Sequence, residues 1–176
     1  MTFITTAGWV AQAVKGAVLH GDADTGIARV CTDARKTEPG DLFVGLRGER
    51  FDGTDFAADA AARGASAVMV SRLIEGINAV QIVVPDVNQA FCESAAAWRQ
   101  RFSIPVISVS GSNGKTTTTQ MIASILREAY GRDGYLSTEG NFNNSVGVPI
   151  TLWRLRDGMK AAVVESGMSH RGEMAE

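Results

Sequence analysis

A glycine loop in the middle of the chain carries the residues best suited to chemistry, Ser110-Gly111-Ser112-Asn113-Gly114-Lys115-Thr116-Thr117. Its glycines allow the backbone to turn so that several N–H groups point at one anion. Lys115 adds a full positive charge, and the Thr116 hydroxyl can reach a phosphate-bound Mg²⁺. The loop therefore predicts a nucleotide phosphate site, with backbone N–H contacts from Gly111 to Gly114.

The flanks of this loop favour the same interpretation. An apolar, β-branched run from Ile104 to Val109 predicts a buried strand before it. Apolar residues recur at helical spacing from Thr118 to Tyr130, which predicts a helix after it. An Asn113-Gly114 hairpin turn is the alternative, and the helical spacing argues against it. Because position 109 is Val, the spacing is Gly-x-x-Gly-Lys-Thr-Thr rather than the longer phosphate-loop form.

Two further candidates, Glu165 and His170, stand at the end of a second apolar run, Ala161 to Glu165, and just after it. Glu165 ends this predicted strand, where parallel α/β sheets place their ligands, and could hold Mg²⁺ opposite Thr116. The alternative is an ordinary solvated strand end. His170 lies in a stretch of small and polar residues that predicts a loop. A lone loop histidine is more often a surface residue than a catalyst.

Two polar stretches have both a structural and a functional interpretation. Asn143 and Asn144 stand in an Asn-rich turn, where amides cap turns or bind a substrate or phosphate group. Thr32-Asp33-Ala34-Arg35 follows a predicted strand, and from the residues alone a helix start is favoured there.

Composition limits the class of protein. The chain has 176 residues, of which 45% are apolar and 20% charged, as in soluble globular proteins. Its net charge of −2 gives no support for a general nucleic-acid or membrane surface. No secretion signal and no apolar run of membrane-spanning length is present, so we expect no membrane insertion. Cys31 and Cys92 lie far apart and predict buried thiols in a reducing, cytoplasmic compartment.

The order of predicted elements indicates an α/β protein in two parts. Residues 1–84 alternate strands (26–32, 41–46, 67–70, 80–84) with a helix (55–63), as in a small α/β domain. Residues 85–103 predict a connecting helix over 87–102, with Asp86 as N-cap and Gln89 completing a capping box. Residues 104–176 predict the start of a phosphate-loop ATPase domain with a parallel sheet, with another strand at 134–137 and a helix at 150–155. That domain is expected to be incomplete, because only two or three strands follow residue 104.

Several stretches together resemble the Mur ligase family of cell-wall synthesis enzymes. The loop Gly111 to Thr117 is similar to the family's ATP loop, which folylpolyglutamate synthetases share. The first part resembles the family's UDP-binding domain through the stretches 32–35, 39–44, 47–53 and 64–65. The stretches 140–149 and 165–173 resemble one branch of the family. Two positions depart from the family's pattern. The family often has Ser or Thr where Ala34 stands, and commonly His where Thr54 stands.

The resemblance implies an activity and a set of site residues. It implies ATP- and Mg²⁺-dependent amide formation between UDP-N-acetylmuramoyl-tripeptide and D-alanyl-D-alanine, through an acyl phosphate, by a cytoplasmic, monomeric enzyme that binds no nucleic acid. Lys115, Glu165 and His170 are the candidate catalytic residues. Gly111, Ser112, Asn113, Gly114, Lys115, Thr116 and Thr117 would bind ATP. Thr116 and Glu165 would bind Mg²⁺, and Thr32, Asp33, Arg35, Asn143 and Asn144 would bind substrate.

Three alternatives remain at this stage. Another Mur ligase or a folylpolyglutamate synthetase-like ligase uses the same loop, although the Asn-rich turn speaks against both. A non-catalytic fragment that binds a nucleotide or a UDP-sugar is the third. The family's central domain continues beyond residue 176 and supplies a lysine for a second Mg²⁺, so the chain is expected to be an N-terminal part that is inactive by itself.

Overall fold

The computed structural model describes residues 2–140 and 142–167. Its contacts divide the chain into two units, Met1–Ser94 and Ala95–Glu176. Both units combine helices with parallel strands, so the predicted α/β class is confirmed. Within the described residues, no helix combines the length and the apolar character that crossing a bilayer requires.

The first unit is built on a mostly parallel sheet. Its elements are β1 (Thr5–Thr6), α1 (Ala7–Gln12), β2 (Val18–His20), β3 (Gly26–Ile27), β4 (Arg29–Cys31), β5 (Asp41–Val44), α2 (Ala57–Ala62), β6 (Ala67–Val70), β7 (Val80–Val83) and most of α3 (Val87–Gln100). Five of these strands form a sheet in the order β2-β7-β6-β5-β4. Strands β4 to β7 are parallel, and β2 is antiparallel to β7. The loops after the parallel strands therefore begin at one edge of the sheet.

The single strand predicted over residues 26–32 is wrong. The structure divides it into β3, which pairs with β1 in a separate two-stranded sheet, and β4, which pairs with β5. The division falls at Ala28, whose N–H donates to the carbonyl of Gly40 instead of joining either ladder. A run with strand-like composition does not show which partner each half will find, so the sequence pattern could not reveal this break.

Helix α3 begins as predicted, but its capping box does not form. Asp86 caps it, with Oδ1 accepting from the N–H groups of Asn88 and Gln89 at 2.9 and 3.0 Å. The Gln89 side chain donates instead to Glu93, one turn further on. This hydrogen bond to a carboxylate at i+4 turns the Gln89 side chain along the helix, away from the backbone N–H of Asp86 that the box would use.

The second unit carries a three-stranded parallel sheet with helices. After the last turns of α3 it contains β8 (Val106–Val109), α4 (Lys115–Tyr130), β9 (Tyr135–Ser137), α5 (Gly147–Leu152) and β10 (Ala161–Glu165). The strand order is β8-β10-β9. All five residues of the central strand β10 are buried. Helix α4 packs on this sheet through Leu126, which meets Ala161 and Val163 in one apolar cluster.

The strand before the glycine loop is less buried than predicted. Strand β8 lies at the edge of its sheet in the described residues, and Ile107 is 39% exposed. Composition alone cannot separate an edge strand from a central one, because both can be apolar. Cys31 and Cys92 are likewise only half-buried, and within the described residues neither forms a disulfide.

Helices α4 and α5 both begin earlier than predicted. Helix α4 begins at Lys115 rather than Thr118, because the polar residues of its first turn carry no apolar period. Helix α5 spans 147–152 rather than 150–155. Pro149 is tolerated there because its missing N–H falls in the first turn, where it would have no helical partner.

An aromatic pair fixes α5 to the end of α3. Trp153, the residue after α5, stacks on Trp98 with ring centroids 5.0 Å apart and planes 16° apart. The indole N–H of Trp98 donates to the carbonyl of Leu155 at 3.3 Å. Both indoles are almost fully buried, so this contact holds the segment that follows the Asn-rich turn.

Candidate functional site

The glycine loop joins β8 to α4 through two residues with left-handed backbone. Gly111 has φ 149° and Gly114 has φ 76°, conformations that residues with a side chain rarely adopt. Gly114 is followed at once by the first residue of α4. The N-terminus of this 16-residue helix, with its free N–H groups and partial positive charge, therefore meets the loop. The local structure is that of an anion site.

Lys115 folds back over the loop that precedes it. Its Nζ donates to the carbonyl oxygen of Gly111 at 2.6 Å. The ammonium group thus lies beside the loop's backbone, where an anion bound by the loop would meet it. Ser112, Asn113 and Thr117 are exposed around the same turn.

Glu165 lies next to this loop, as its position at the end of a strand predicted. It pairs in register with Val109, the last residue of β8, so both strands end at the same edge. Glu165 is only 2% exposed. Its Oε1 accepts from the hydroxyl of Thr116 at 3.4 Å and from the side-chain amide of Asn143 at 2.8 Å. The structure therefore brings together Thr116, Glu165 and Asn143.

Sequence reasoning missed a residue that supports Glu165 from behind. The hydroxyl of Thr138, the residue after β9, accepts from the backbone N–H of Glu165 at 2.9 Å. Its own N–H donates to the carbonyl of Val163 at 3.1 Å. The signal in the sequence that could have indicated it is a Thr directly after the predicted strand 134–137.

The remaining sequence candidates of this unit have different surroundings. The Asn144 side chain accepts from the N–H groups of Val146 and Gly147 at 3.2 and 2.8 Å, ahead of α5. Asn144 therefore caps the turn, which is the structural one of the two roles that the sequence left open for it. His170 lies outside the described residues.

The candidates of the first unit follow β4. Thr32 is half-buried, and Asp33 and Arg35 bind each other through Nε–Oδ1 and Nη2–Oδ2, both 2.9 Å. Asp33 also caps the 3₁₀ turn at Ala34–Lys36 through the N–H of Arg35. The hydrogen bonds from Arg35 lower the pKa of Asp33 to about 2. The Arg35 guanidinium is therefore engaged by a carboxylate before any diphosphate arrives.

A surface cavity of about 390 Å³ lies at the carboxyl edge of the first unit's sheet. It is lined by residues that follow β5, β6 and β7, namely Arg47, Gly48, Glu49, Asp52, Ser71, Pro85, Asp86, Val87 and Asn88. Asn88 fixes one wall, because its side-chain amide accepts from the N–H of Arg47 and donates to its carbonyl at 2.8 and 2.9 Å. This edge is where parallel α/β sheets bind ligands.

Thr54, where the family pattern commonly has His, supports the cavity from below. It is 1% exposed, and its hydroxyl accepts from the N–H of Ser71 at 3.1 Å. Asp52 accepts from the N–H of Thr54 at 2.9 Å, which lowers the pKa of Asp52. Arg72 lies 3.7 Å from Asp52 and also pairs with Asp55. The carboxylate in the wall is thus partly neutralised.

The second unit's donors fit a magnesium ion that accompanies a nucleotide. Mg²⁺ prefers oxygen ligands and is usually held by one or two carboxylates together with substrate phosphates. Thr116 offers a hydroxyl and Glu165 a carboxylate, both beside the anion site. Within the described residues, Oε2 of Glu165 accepts no hydrogen bond, so one carboxylate oxygen is available.

Two family models match adjoining parts of the chain. The model "Mur ligase family, catalytic domain" matches residues 26–111, and the "Mur ligase middle domain" matches residues 109–176. The chain belongs to the Mur ligase family. The two matched ranges meet at residues 109–111, at the start of the glycine loop.

Among curated Mur ligases, the chain is similar to UDP-N-acetylmuramoyl-tripeptide–D-alanyl-D-alanine ligases. It is 45% identical to that of Escherichia coli over 161 residues, which are 90% of this chain and 35% of the relative. It is 40% identical to that of Bacillus subtilis over 168 residues, 94% of this chain and 36% of the relative. The chain therefore spans about a third of the length of these relatives.

Solved Mur ligase structures share the fold. A MurF ligase from Acinetobacter baumannii superposes with a TM-score of 0.88 at 39% identity, covering 97% of this chain and 37% of the other. MurF from Thermotoga maritima, solved in complex with ADP, superposes with a TM-score of 0.72 at 29% identity, covering 84% of this chain and 34% of the other. The second of these proteins binds an adenine nucleotide.

Proposed function

We propose that this chain forms part of an ATP-dependent ligase that adds D-alanyl-D-alanine to UDP-N-acetylmuramoyl-tripeptide in peptidoglycan precursor synthesis. The observation that carries the proposal is the contact between Thr116, on the nucleotide-type loop, and the buried Glu165. The similarity to curated ligases of that name supports the choice of substrates.

The second unit would hold the triphosphate. Backbone N–H groups from Gly111 to Gly114 and the N-terminus of α4 would bind phosphate oxygens, with Ser112, Asn113 and Thr117 exposed around them. Lys115 would leave the Gly111 carbonyl for the β- and γ-phosphates. Thr116 and Glu165 would hold Mg²⁺, which supplies charge neutralisation when bound. A carboxylate and a triphosphate repel each other, so this neutralisation is needed before they can react.

The reaction then proceeds in two transfers. An oxygen of the tripeptide carboxylate attacks the γ-phosphorus, and the bond from that phosphorus to the bridging β-phosphate oxygen breaks. ADP is the leaving group, and the carboxylate becomes an acyl phosphate. The amine of D-alanyl-D-alanine attacks the acyl carbon, loses a proton and expels inorganic phosphate. Lys115 contributes by stabilising the charge that shifts onto the leaving ADP.

The first unit would bind the UDP end of the acyl substrate at its own carboxyl sheet edge. The cavity lined by Arg47, Ser71 and Asn88 offers a cation, a hydroxyl and an amide. Thr32, Asp33 and Arg35 begin the loop after β4 at the same edge of the sheet. Remote binding of this kind orients a substrate without taking part in its chemistry.

An NMR titration of the 176-residue chain tests both halves of the proposal. With Mg-ADP we expect amide shifts at Gly111 to Thr117 and at Glu165. With UDP-N-acetylmuramic acid we expect separate shifts around Arg47 to Gly53 and Thr32 to Arg35. A folded chain whose spectrum changes with neither ligand would refute the proposal. Assays of phosphate release in the ligase, comparing D-alanyl-D-alanine with a diamino acid as the amine, test the choice of substrate.

A further inference from the structure

We propose that Asn143 is a positioning residue for the metal-binding carboxylate, not a substrate contact as its sequence position suggested. It would hold one oxygen of Glu165 so that the other is presented to the cation. The inference rests on the proposed function of the second unit as a Mg-nucleotide site. It assigns a role to the Asn-rich turn in that site.

The hydrogen bonds of Glu165 are asymmetric. Oε1 accepts from both Asn143 and Thr116, whereas Oε2 accepts from no group in residues 2–140 and 142–167. Glu165 is 2% exposed, so water does not supply equal partners to its two oxygens. The two orientations of the carboxylate would be equivalent only if both oxygens had similar partners in the protein. The amide at 2.8 Å removes that equivalence, because it binds Oε1 closely and leaves Oε2 as the free ligand.

Asn143 is itself held by the strand that carries Glu165. Its backbone carbonyl accepts from the N–H of Gly167, two residues beyond Glu165, at 2.5 Å. A side chain at Gly167 would place its Cβ 2.8 Å from that carbonyl oxygen, so a glycine is needed for this approach. The turn is thus joined to the end of β10 by a backbone bond and a side-chain bond. An amide fixed in this way can fix its partner.

Thr138 completes the support on the opposite side of the residue. Strand β9 pairs with β10 only as far as Ser137. The Thr138 hydroxyl then accepts the N–H of Glu165 that the next residue of a longer strand would have accepted. Because the hydroxyl takes the place of a backbone carbonyl as acceptor, the chain can leave the sheet toward the Asn-rich turn while the main chain of Glu165 stays fixed. Asn143 therefore controls the carboxylate, and Thr138 controls the backbone beneath it.

A magnesium titration separates positioning from binding of the nucleotide. The affinity of the 176-residue chain for ADP is measured by calorimetry, without Mg²⁺ and at increasing Mg²⁺ concentrations. For Asn143→Ala we expect the half-saturating Mg²⁺ concentration to rise about 10- to 100-fold, the usual range for loss of a group that orients a metal ligand. The affinity for ADP in the absence of Mg²⁺ should stay within about twofold, because the phosphate contacts of the loop are unchanged.

Matched variants guard against a general loss of structure. Ser108→Ala removes the neighbouring Ser108–Ser166 contact at the same sheet edge and should leave the Mg²⁺ dependence unaltered. Thr138→Val should also raise the half-saturating Mg²⁺ concentration. Thr138→Ser, which keeps the hydroxyl, should leave that concentration near the parent's value. Manganese EPR of the ADP complex should report altered coordination in Asn143→Ala but not in Ser108→Ala.

Two outcomes would overturn the inference, and they differ. If the parent chain binds ADP with no dependence on Mg²⁺, the proposed metal site fails and the inference fails with it. If the parent shows that dependence and folded Asn143→Ala shows the same one, the proposed function stands and only the positioning role is refuted.

Discussion

Lys115 brings a full positive charge to the first position of α4, beside the loop backbone. We expect Lys115→Ala to weaken Mg-ADP binding about tenfold or more, because a charge-assisted contact to phosphate contributes about 1.5–3 kcal/mol. Calorimetry on the 176-residue chain measures the loss. Lys160→Ala is the matched control, since this lysine precedes β10 at the opposite end of the strand from Glu165. Equal affinity of Lys115→Ala and the parent would contradict the assignment.

Asp33 should remain a carboxylate throughout the physiological pH range. Hydrogen bonds from the Arg35 side chain lower its pKa from 3.8 to about 2. A depressed carboxyl pKa contributes stability that is complete above the unfolded pKa, near 4, and is lost as the pH falls through about 2. An NMR titration of the Asp33 carboxyl carbon should therefore show a midpoint near 2.

Removing the partner should reverse this shift. In Arg35→Ala the Asp33 midpoint should move up toward 3.8, whereas Lys36→Ala, which removes only a weaker charge effect, should move it less. If the midpoint of Asp33 is unchanged in Arg35→Ala, the ion pair is not formed in solution. That result would also mean that the guanidinium can bind a diphosphate without first leaving Asp33.

An ion pair between a buried carboxylate and a partly exposed guanidinium joins two neighbouring strands of the first unit. Asp41, at the start of β5, is 1% exposed and accepts from Nε and Nη2 of Arg29 on β4 at 2.9 and 2.7 Å. We expect Arg29→Met to lower the free energy of unfolding by about 1–3 kcal/mol, because it removes two hydrogen bonds from a buried carboxylate. Urea denaturation measures the change. The exposed Arg63→Met should change it by less than about 0.5 kcal/mol, and equal midpoints for the two variants would refute the expected role.

The elements that the sequence predicted well are those whose pattern is local. The strand 67–70 and the strand 161–165 match the structure at both ends. Helix α3 begins where Asp86 predicted it, because a side-chain cap is a contact between close neighbours. Gly64 follows α2 with a positive φ of 101°, a C-terminal signal that also acts locally.

The elements that it predicted poorly depend on distant partners. The break at Ala28 is decided by a bond to Gly40, and the exposure of β8 by its place in a sheet whose order spans residues 106 to 165. The same division holds at the site. Lys115, Thr116 and Glu165 carry motif signals, whereas Thr138 contributes through a backbone contact 27 residues away that no local spacing indicates.

At the scale of the molecule, α3 belongs to both units. The division at Ser94 and Ala95 falls inside the helix, and Val87, Ala90 and Phe91 from its first half are buried. We therefore expect residues 1–100 to unfold cooperatively and residues 1–84 to fail to do so. Loss of Phe91 alone is worth about 3–5 kcal/mol against a total stability of about 5–15 kcal/mol.

Circular dichroism melting of the two shortened chains measures this difference. The shorter chain also lacks Asn88, which bonds Arg47 in the cavity wall. It should therefore lose any response to UDP-N-acetylmuramic acid, and residues 1–100 should keep it. Superimposable melting curves would show that the first half of α3 adds nothing to the first unit.

The bond from Lys115 to Gly111 gives the ammonium group an oxygen partner within the protein. A nucleotide entering the loop competes with that oxygen, so the affinity that is measured is the difference between an external and an internal contact. If the second unit binds a nucleotide as proposed, Lys115 should therefore contribute less to its affinity than a lysine with no internal partner would.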